Sequence, residues 1–573
     1  MPMRPRTLLT ALILPLAGLV AATQAQAQAV QADAADEAVA VLTAARIHTE
    51  NPAAPLATAI AWNEHGRLVA VGKAAELRKR YPKARHVDAG KATVVPGLID
   101  AHAHLMGLGD ALMLADLTGA DSREEVVRRL QAFAQTVPAD AWIRGWGWDQ
   151  NRWPERQFPT VADLDAAFPD RPVWLLRVDG HAGWGNSAAL RAAEAAQGAR
   201  GFAGDWHPEG GRIVRDGDRA TGVFVDEAMR LVERAIPAPT EAFREEALRR
   251  ALSAAVANGL TGVHDMGVSR DDLALMRRFA DAGRLPLRID AYADGDGGAL
   301  ADLCAQGLYR HDGGRLQMTG VKLYMDGALG SRGAALLADY SDDPGNRGLL
   351  VTDPAAFGAA VIKARDCGVQ VATHAIGDRG NRIVLDTYEY ALRGKGARPD
   401  HRWRVEHAQV VAAEDIPRFA QLRLVASMQP THATSDMPWA EDRLGHERLE
   451  GAYAWRRFLD LGVPLALGSD FPVESVDPRL GLFAAVNRTD RAGHPPGGWL
   501  PGQKLTAAEA LRGFTAAAAW AAHDEGEVGR LAPGLRADFV VLDRDPLAIP
   551  AEGLDDLKVR STWVDGQPVY NAD

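Results

Sequence analysis

Cysteine is almost missing from this chain of 573 residues: there are two, Cys304 and Cys367. With no Cys-x-x-Cys, a thiolate metal site is excluded. Two cysteines cannot make a disulfide framework in so long a chain; they read as two ordinary thiols, with a single bridge as the alternative. Blocks of Lys or Arg are missing too. Basic and acidic residues are interspersed around a net charge of -11, which excludes a nucleic-acid surface or a polybasic membrane patch. The acidic balance speaks mainly to solubility. Beyond the N-terminus no apolar run reaches the roughly 20 residues that cross a bilayer. Low complexity is confined to one Ala/Gln stretch near the start. Disorder is excluded by composition, since 47% of residues are hydrophobic and 24% charged. What remains is a globular chain too long for one compact domain.

The N-terminus is laid out as an export signal. Arg4 and Arg6 precede an uncharged apolar run from Leu8 to Ala22, and small residues follow at Ala25-Gln26-Ala27 and Ala27-Gln28-Ala29. A basic start, an apolar centre and an A-x-A site are the marks of a cleavable secretory signal. The alternative for the same run is an uncleaved anchor. With residues 1–29 set aside, the expectation is a periplasmic or secreted protein with no stable membrane insertion.

From 38 to 95 the chain alternates apolar and polar residues in short runs broken by Gly, Pro and Asn, as in VAVLTAARIHT and LATAIAWNEHGRLVAVG. The same pattern returns over 526–573, so both ends predict strands of one small sheet domain built from both termini. The middle, 96–525, alternates helix and apolar strand. One unit is the helix over 241–258 followed by LTGVHDMG, and another is PAAFGAAVIKARDCG followed by VQVATHA. That repetition predicts a parallel sheet with helical crossovers, closed into a TIM-like (β/α)8 barrel. A stretch from about 120 to 235 does not fit the repeat. It is rich in tryptophan, including Trp146, Trp148 and Trp153, and reads as a large insertion near the barrel mouth, with those rings as its core, as an apolar pocket wall, or as both.

Metal-ligand residue types recur where strands end, the edge at which a (β/α)8 barrel collects its reactive groups. His102 and His104 in GLIDAHAH sit at i and i+2 and so share a face. His374 follows VQVAT, His407 follows RWRVE, and Asp470 follows LALGS. Asp470 can touch a metal and accept a proton, or cap a helix or turn. Lys322 in GVKLYMDG cannot ligate as an ammonium. Carboxylated by carbon dioxide it would become an anionic carbamate able to bridge two cations; otherwise it pairs with a carboxylate such as Asp326. Glu406, next to His407 on the opposite face of a continuing strand, reads as structural. His432, with no partner spacing, reads as a supporting or surface residue.

These residues and the stretches VVPGLIDAHAHLMGLG, LLRVDGHAGWGNSAAL, GVKLYMDGALGSRGAAL, THAIGDRGN, RVEHAQ and GSDFPVESVDP resemble the amidohydrolase superfamily, in particular its YtcJ-like branch, over about 38–570. The resemblance implies a metal-dependent hydrolase that cleaves a carbon-nitrogen bond other than a peptide bond in a small amide-type substrate. It implies a composite β-sandwich beside the barrel, and His102, His104, Lys322, His374, His407 and Asp470 as ligands of zinc or another divalent metal, with two ions per chain bridged by carboxylated Lys322. It places Asp470 as the proton acceptor and His181 as a donor to the scissile carbonyl or a brace within the insertion. Trp148, Asp326, Arg332, Asp378 and Gln429 are the candidate substrate contacts. Ester, lactone or cyclic-amide hydrolysis, a mononuclear deaminase and a non-catalytic periplasmic binding protein are the competing readings. A homodimer is compatible with the resemblance, although no interface is legible.

Overall fold

The computed structural model describes residues 38–177, 182–197, 201–208, 211–295, 298–394 and 396–572. The expected export signal therefore lies outside the described residues. Among those described, no helix is long and apolar enough to cross a membrane. The chain divides into two compact units, one of residues 1–103 with 255–573 and one of 104–254.

In the larger unit the two chain ends share an eight-stranded sheet. Phe539–Leu542 pairs antiparallel with Thr93–Pro96, and Ala40–His48 runs parallel beside both Thr93–Pro96 and Arg85–Asp88. Successive residues of a strand point to opposite faces. Leu42, Ile60 and Trp62 accordingly pack with Phe539 and Trp563, while Val41, Ala59 and Ala61 pack with Leu77 and Tyr81. Both faces are thus apolar, which is why the alternation at the chain ends is imperfect.

The same unit holds a nearly closed parallel barrel of eight strands. They are β1 (Leu98–Ala103), β2 (Leu260–Val268), β3 (Arg288–Asp294), β4 (Leu316–Tyr324), β5 (Gln370–Ala375), β6 (Arg404–His407), β7 (Val425–Met428) and β8 (Leu465–Leu467). Each is hydrogen-bonded to the next from β1 to β8. Between β8 and β1 the seam is closed by the residues just past β8. Ser469 donates from its backbone N–H (3.0 Å) and its hydroxyl (2.6 Å) to the Asp100 carboxylate, and the Asp470 N–H donates to the His102 carbonyl at 2.7 Å. Gly468 permits this approach, since a Cβ there would lie 2.5 Å from the His102 nitrogen. The sequence places Asp470 after a strand; the seam fixes it beside His102.

Cys304 and Cys367 form a disulfide, with Cα atoms 5.0 Å apart, so the reading as two thiols is corrected. One lies in the helix between β3 and β4, the other at the end of the helix between β4 and β5. Consecutive crossovers are neighbours outside a barrel, which brings together cysteines 63 residues apart.

The second unit contains a mixed six-stranded sheet. Its core stacks Trp148, Trp153 and Trp184 with ring centroids 5.9–6.2 Å apart. Trp148 is fully buried and donates its indole N–H to the Leu175 carbonyl at 2.9 Å. Expected as a substrate contact, it instead fills this core and has no face open to a ligand. Trp146, by contrast, is exposed.

Candidate metal centre

At the C-terminal ends of the barrel strands the side chains of His102, Lys322, His374, His407 and Asp470 converge. The ring centroids of His407 are 4.7 Å from those of His102 and 4.6 Å from those of His374. His102 Nε2 lies 3.1 Å from Lys322 Nζ and 3.5 Å from Asp470 Oδ1. His104 follows two residues along from His102, where the chain leaves β1. His102, His104 and Asp470 each offer a ligand atom within 4.8 Å of the other two. His407 and Asp470 have left-handed backbone conformations, φ 69° and 63°. Such conformations cost about 1–3 kcal/mol in a non-glycine residue and persist where the surroundings impose them. Both turn a strand end so that its side chain aims at the centre.

Two residues read as minor in the sequence belong to this cluster. His432 stands in the first turn of the helix Pro430–Asp436, directly after β7. With His407 and Asp470 it forms a second group whose ligand atoms lie within 4.8 Å of one another, all three buried. A histidine placed just past a strand end, with proline at the helix start, was the available signal. Glu406 is fully buried and faces His102, bonding its Nδ1 at 2.6 Å. Arg404, not singled out in the sequence, holds Glu406 through Nε at 2.7 Å and Nη2 at 3.0 Å.

These partners fix the tautomers. A carboxylate on Nδ1 makes that nitrogen the donor, leaving the Nε2 lone pair of His102 toward the centre. Gln429 Oε1 does the same for His407, accepting from Nδ1 at 2.9 Å. Gln429 thus orients a ring, where a substrate contact was expected. Burial drives the imidazoles toward the neutral form: the pKa of His102 falls to about 4 and of His374 to about 3, in both cases with Lys322 adding to the effect. His407 is held well below the ordinary value by burial and by His374. The amine of Lys322 is lowered to about 8 by burial, against the pull of Glu406 and Asp470.

The other expected substrate contacts lie elsewhere in the framework. Asp326 does not pair with Lys322. Its carboxylate accepts the backbone N–H groups of Ile376 (2.9 Å), Gly377 (2.8 Å) and Ala335 (2.8 Å), tying the loops after β4 and β5 together. Asp378 accepts from Leu337 at 2.8 Å and Arg379 at 2.9 Å. Arg332 forms an ion pair with Asp342 at 2.9 Å. His181 lies outside the described residues.

The donor set fits a divalent cation. Nε2 of His374 and of His432 are buried and have no hydrogen-bond partner, a costly arrangement unless a ligand takes the lone pair. Neutral imidazoles with a carboxylate suit zinc and its neighbours. Barrel and site together define a candidate metal centre at the C-terminal rim of a parallel barrel.

Residues 85–570 match the amidohydrolase family, and the chain belongs to it. It is 34% identical to YtcJ of Bacillus subtilis (strain 168) over 517 residues, 88% of this chain and 95% of that one. It is 30% identical to the N-substituted formamide deformylase of Arthrobacter pascens over 518 residues, 87% and 93% of the two chains. An uncharacterized metal-dependent hydrolase from Pyrococcus horikoshii OT3 has the same fold, with TM-score 0.73 at 29% identity, covering 90% of this chain and 99% of that one.

Proposed function

We propose that this protein hydrolyses a carbon-nitrogen bond other than a peptide bond in a small amide-type substrate, such as an N-substituted formamide. The observation that carries the reading is the buried convergence of His407, His432 and Asp470 within 4.8 Å. The likeness to a formamide deformylase over most of both chains supports the choice of bond. His102, His104, His374, His407 and Asp470 would hold zinc or a similar divalent ion. When bound, it supplies Lewis acidity, which acidifies water and polarises a carbonyl.

Lys322 has the properties of a carbamate precursor. It is 1% exposed and, among the described residues, has no carboxylate in ion-pair contact; its polar neighbour is His102 Nε2. A lowered pKa makes the neutral amine, the form that reacts with carbon dioxide, available near neutral pH. Carboxylated, Lys322 would bridge two ions. Asp470 faces the same centre and would take the proton from the attacking water and return it to the leaving nitrogen. The chain would act after export: the N-terminal residues that read as an export signal and the disulfide, which favours an oxidising compartment, support this.

Zinc-reconstituted protein assayed on N-substituted formamides, simple amides, esters and lactones tests the reading. Turnover of formamides or amides is expected, and turnover of esters or lactones alone would overturn it. Asp470→Asn should lower turnover by about 100-fold or more while most of the metal stays bound. Near-normal turnover removes Asp470 from the proton-transfer role. Two ions per chain support the bridged centre, and a single ion in an active enzyme favours a mononuclear site with free Lys322.

A further inference from the structure

We infer that His432 is itself a metal ligand, completing with His407 and Asp470 the coordination of one ion. This rests on the reading of the cluster as a metal centre and adds a residue from the seventh strand end to it.

The first observation is a distance. His432 Nε2 lies 3.6 Å from Asp470 Oδ2. That is too long for a hydrogen bond, whose donor and acceptor sit about 2.7–3.2 Å apart. It is close to the separation of two ligands on one tetrahedral zinc. With bonds of about 2.0–2.1 Å the ligand atoms stand roughly 3.3–3.4 Å from each other.

The second is an unsatisfied atom. His432 is 7% exposed, and its Nε2 is buried with no hydrogen-bond partner. A buried polar nitrogen in that state costs about 1–3 kcal/mol unless something takes its lone pair.

The third is the ring's support. The Gln409 side-chain amide nitrogen lies 3.1 Å from Nδ1; with the amide turned over, Oε1 takes that place, accepts the Nδ1 proton and leaves the lone pair on Nε2. The Gln409 carbonyl accepts the Tyr453 N–H at 2.6 Å, which anchors that residue in turn. The His432 ring lies parallel to that of His407, with centroids 5.8 Å apart and planes 25° apart. Pinned at Nδ1 and stacked on one face, the ring has one orientation, and it directs Nε2 at Asp470. An imidazole that donates from Nδ1 and keeps the Nε2 lone pair free beside a second ligand atom is the arrangement of a metal-bound histidine.

His432→Gln tests the assignment, read by metal rather than by turnover. The purified chain is stripped, reloaded with Co(II), and titrated against a chelator while its visible spectrum is recorded. The wild-type chain should bind Co(II) with the spectrum of a nitrogen- and oxygen-ligated ion. In His432→Gln at least one equivalent should bind 10-fold or more weakly, with a shifted ligand-field band. Unchanged affinity and an unchanged band in the folded variant would overturn the inference while leaving the metal centre standing. A wild-type chain that binds no Co(II) and no zinc overturns the metal centre itself, and the role of His432 with it. Should His432→Gln fail to fold, Gln409→Leu leaves the imidazole in place and releases its Nδ1. A smaller loss of affinity is then expected, and affinity equal to wild type would overturn the inference.

Discussion

At the rim of the barrel, His374 and His432 each keep a buried nitrogen with no hydrogen-bond partner. Three residues back along β6 from His407, Arg404 has a partner on every nitrogen: Glu406 twice, His264, Tyr292, the Ala101 carbonyl and the Ser427 hydroxyl. Both layers are buried and polar, yet the Arg404 guanidinium is fully paired, while these two rim imidazoles, like His264 at its Nε2, keep an unpaired nitrogen. The pair of Arg404 and Glu406, complete without any ligand, fixes the orientation of His102 through Glu406. The rim, incomplete by itself, is where a bound group gains most. Satisfied polar networks rigidify, and unsatisfied ones mark a missing partner.

Breaking the inner layer should cost the most. Arg404→Met leaves the Glu406 carboxylate buried without its guanidinium. Removal of one member of a buried pair typically costs about 3–5 kcal/mol, and the Tyr292 and Ser427 hydroxyls lose a donor as well. Urea denaturation of the metal-free chain should show a loss of that size. A loss below about 1 kcal/mol would mean that the layer relaxes, and that saturation is not what holds it.

A smaller change separates orientation from stability. Glu406→Gln keeps the shape and an acceptor for His102 Nδ1 but removes the charge that makes the imidazole a better ligand. Partners of this kind change metal affinity by about 10- to 100-fold when altered. Chelator competition should place Glu406→Gln in that range, with weaker effects on the folded state than Arg404→Met. Equal affinity in variant and wild type would confine Glu406 to a packing role.

The rim was more legible in the sequence than the layer beneath it, for a physical reason. Rim residues end strands, and a chain that alternates helix and apolar strand announces those ends; His102, His374 and Asp470 each follow an apolar run, and His407 follows the strand-like RWRVE. Arg404 and Glu406 lie inside RWRVE, where alternating charges look like a solvated face. Only closure of the barrel turns that face inward. His432 lacked a partner at ligand spacing because its partners come from β6 and β8, far away in the chain. Asp326 and Asp378 sit in family motifs, but their carboxylates serve backbone N–H groups of loops, a duty that no side-chain pattern encodes. Trp148 shows the reverse: an aromatic-rich stretch predicts burial well and says little about whether a ring faces a ligand or its neighbours.

The slightest of these tests concerns His264 on β2, fully buried, with Nδ1 2.8 Å from Arg404. Burial, and then the guanidinium, hold its pKa well below the ordinary 6.5. The sign follows from comparing folded and unfolded chains. Above 6.5 the imidazole is neutral in both and contributes nothing to the pH dependence. As pH falls below 6.5 the unfolded chain takes up a proton that the folded chain refuses, so stability drops. One pH unit below that point the single group costs about 1.4 kcal/mol. His264→Gln should therefore flatten the fall in stability of the metal-free chain between pH 6.5 and 5.5 by about one proton in slope, whatever its effect at neutral pH. If wild type and variant keep parallel stability curves over that interval, the inner layer admits a proton at His264. The pairing of Arg404 with His264 would then be a property of neutral pH alone, and the contrast with the rim would fade as the solution is acidified.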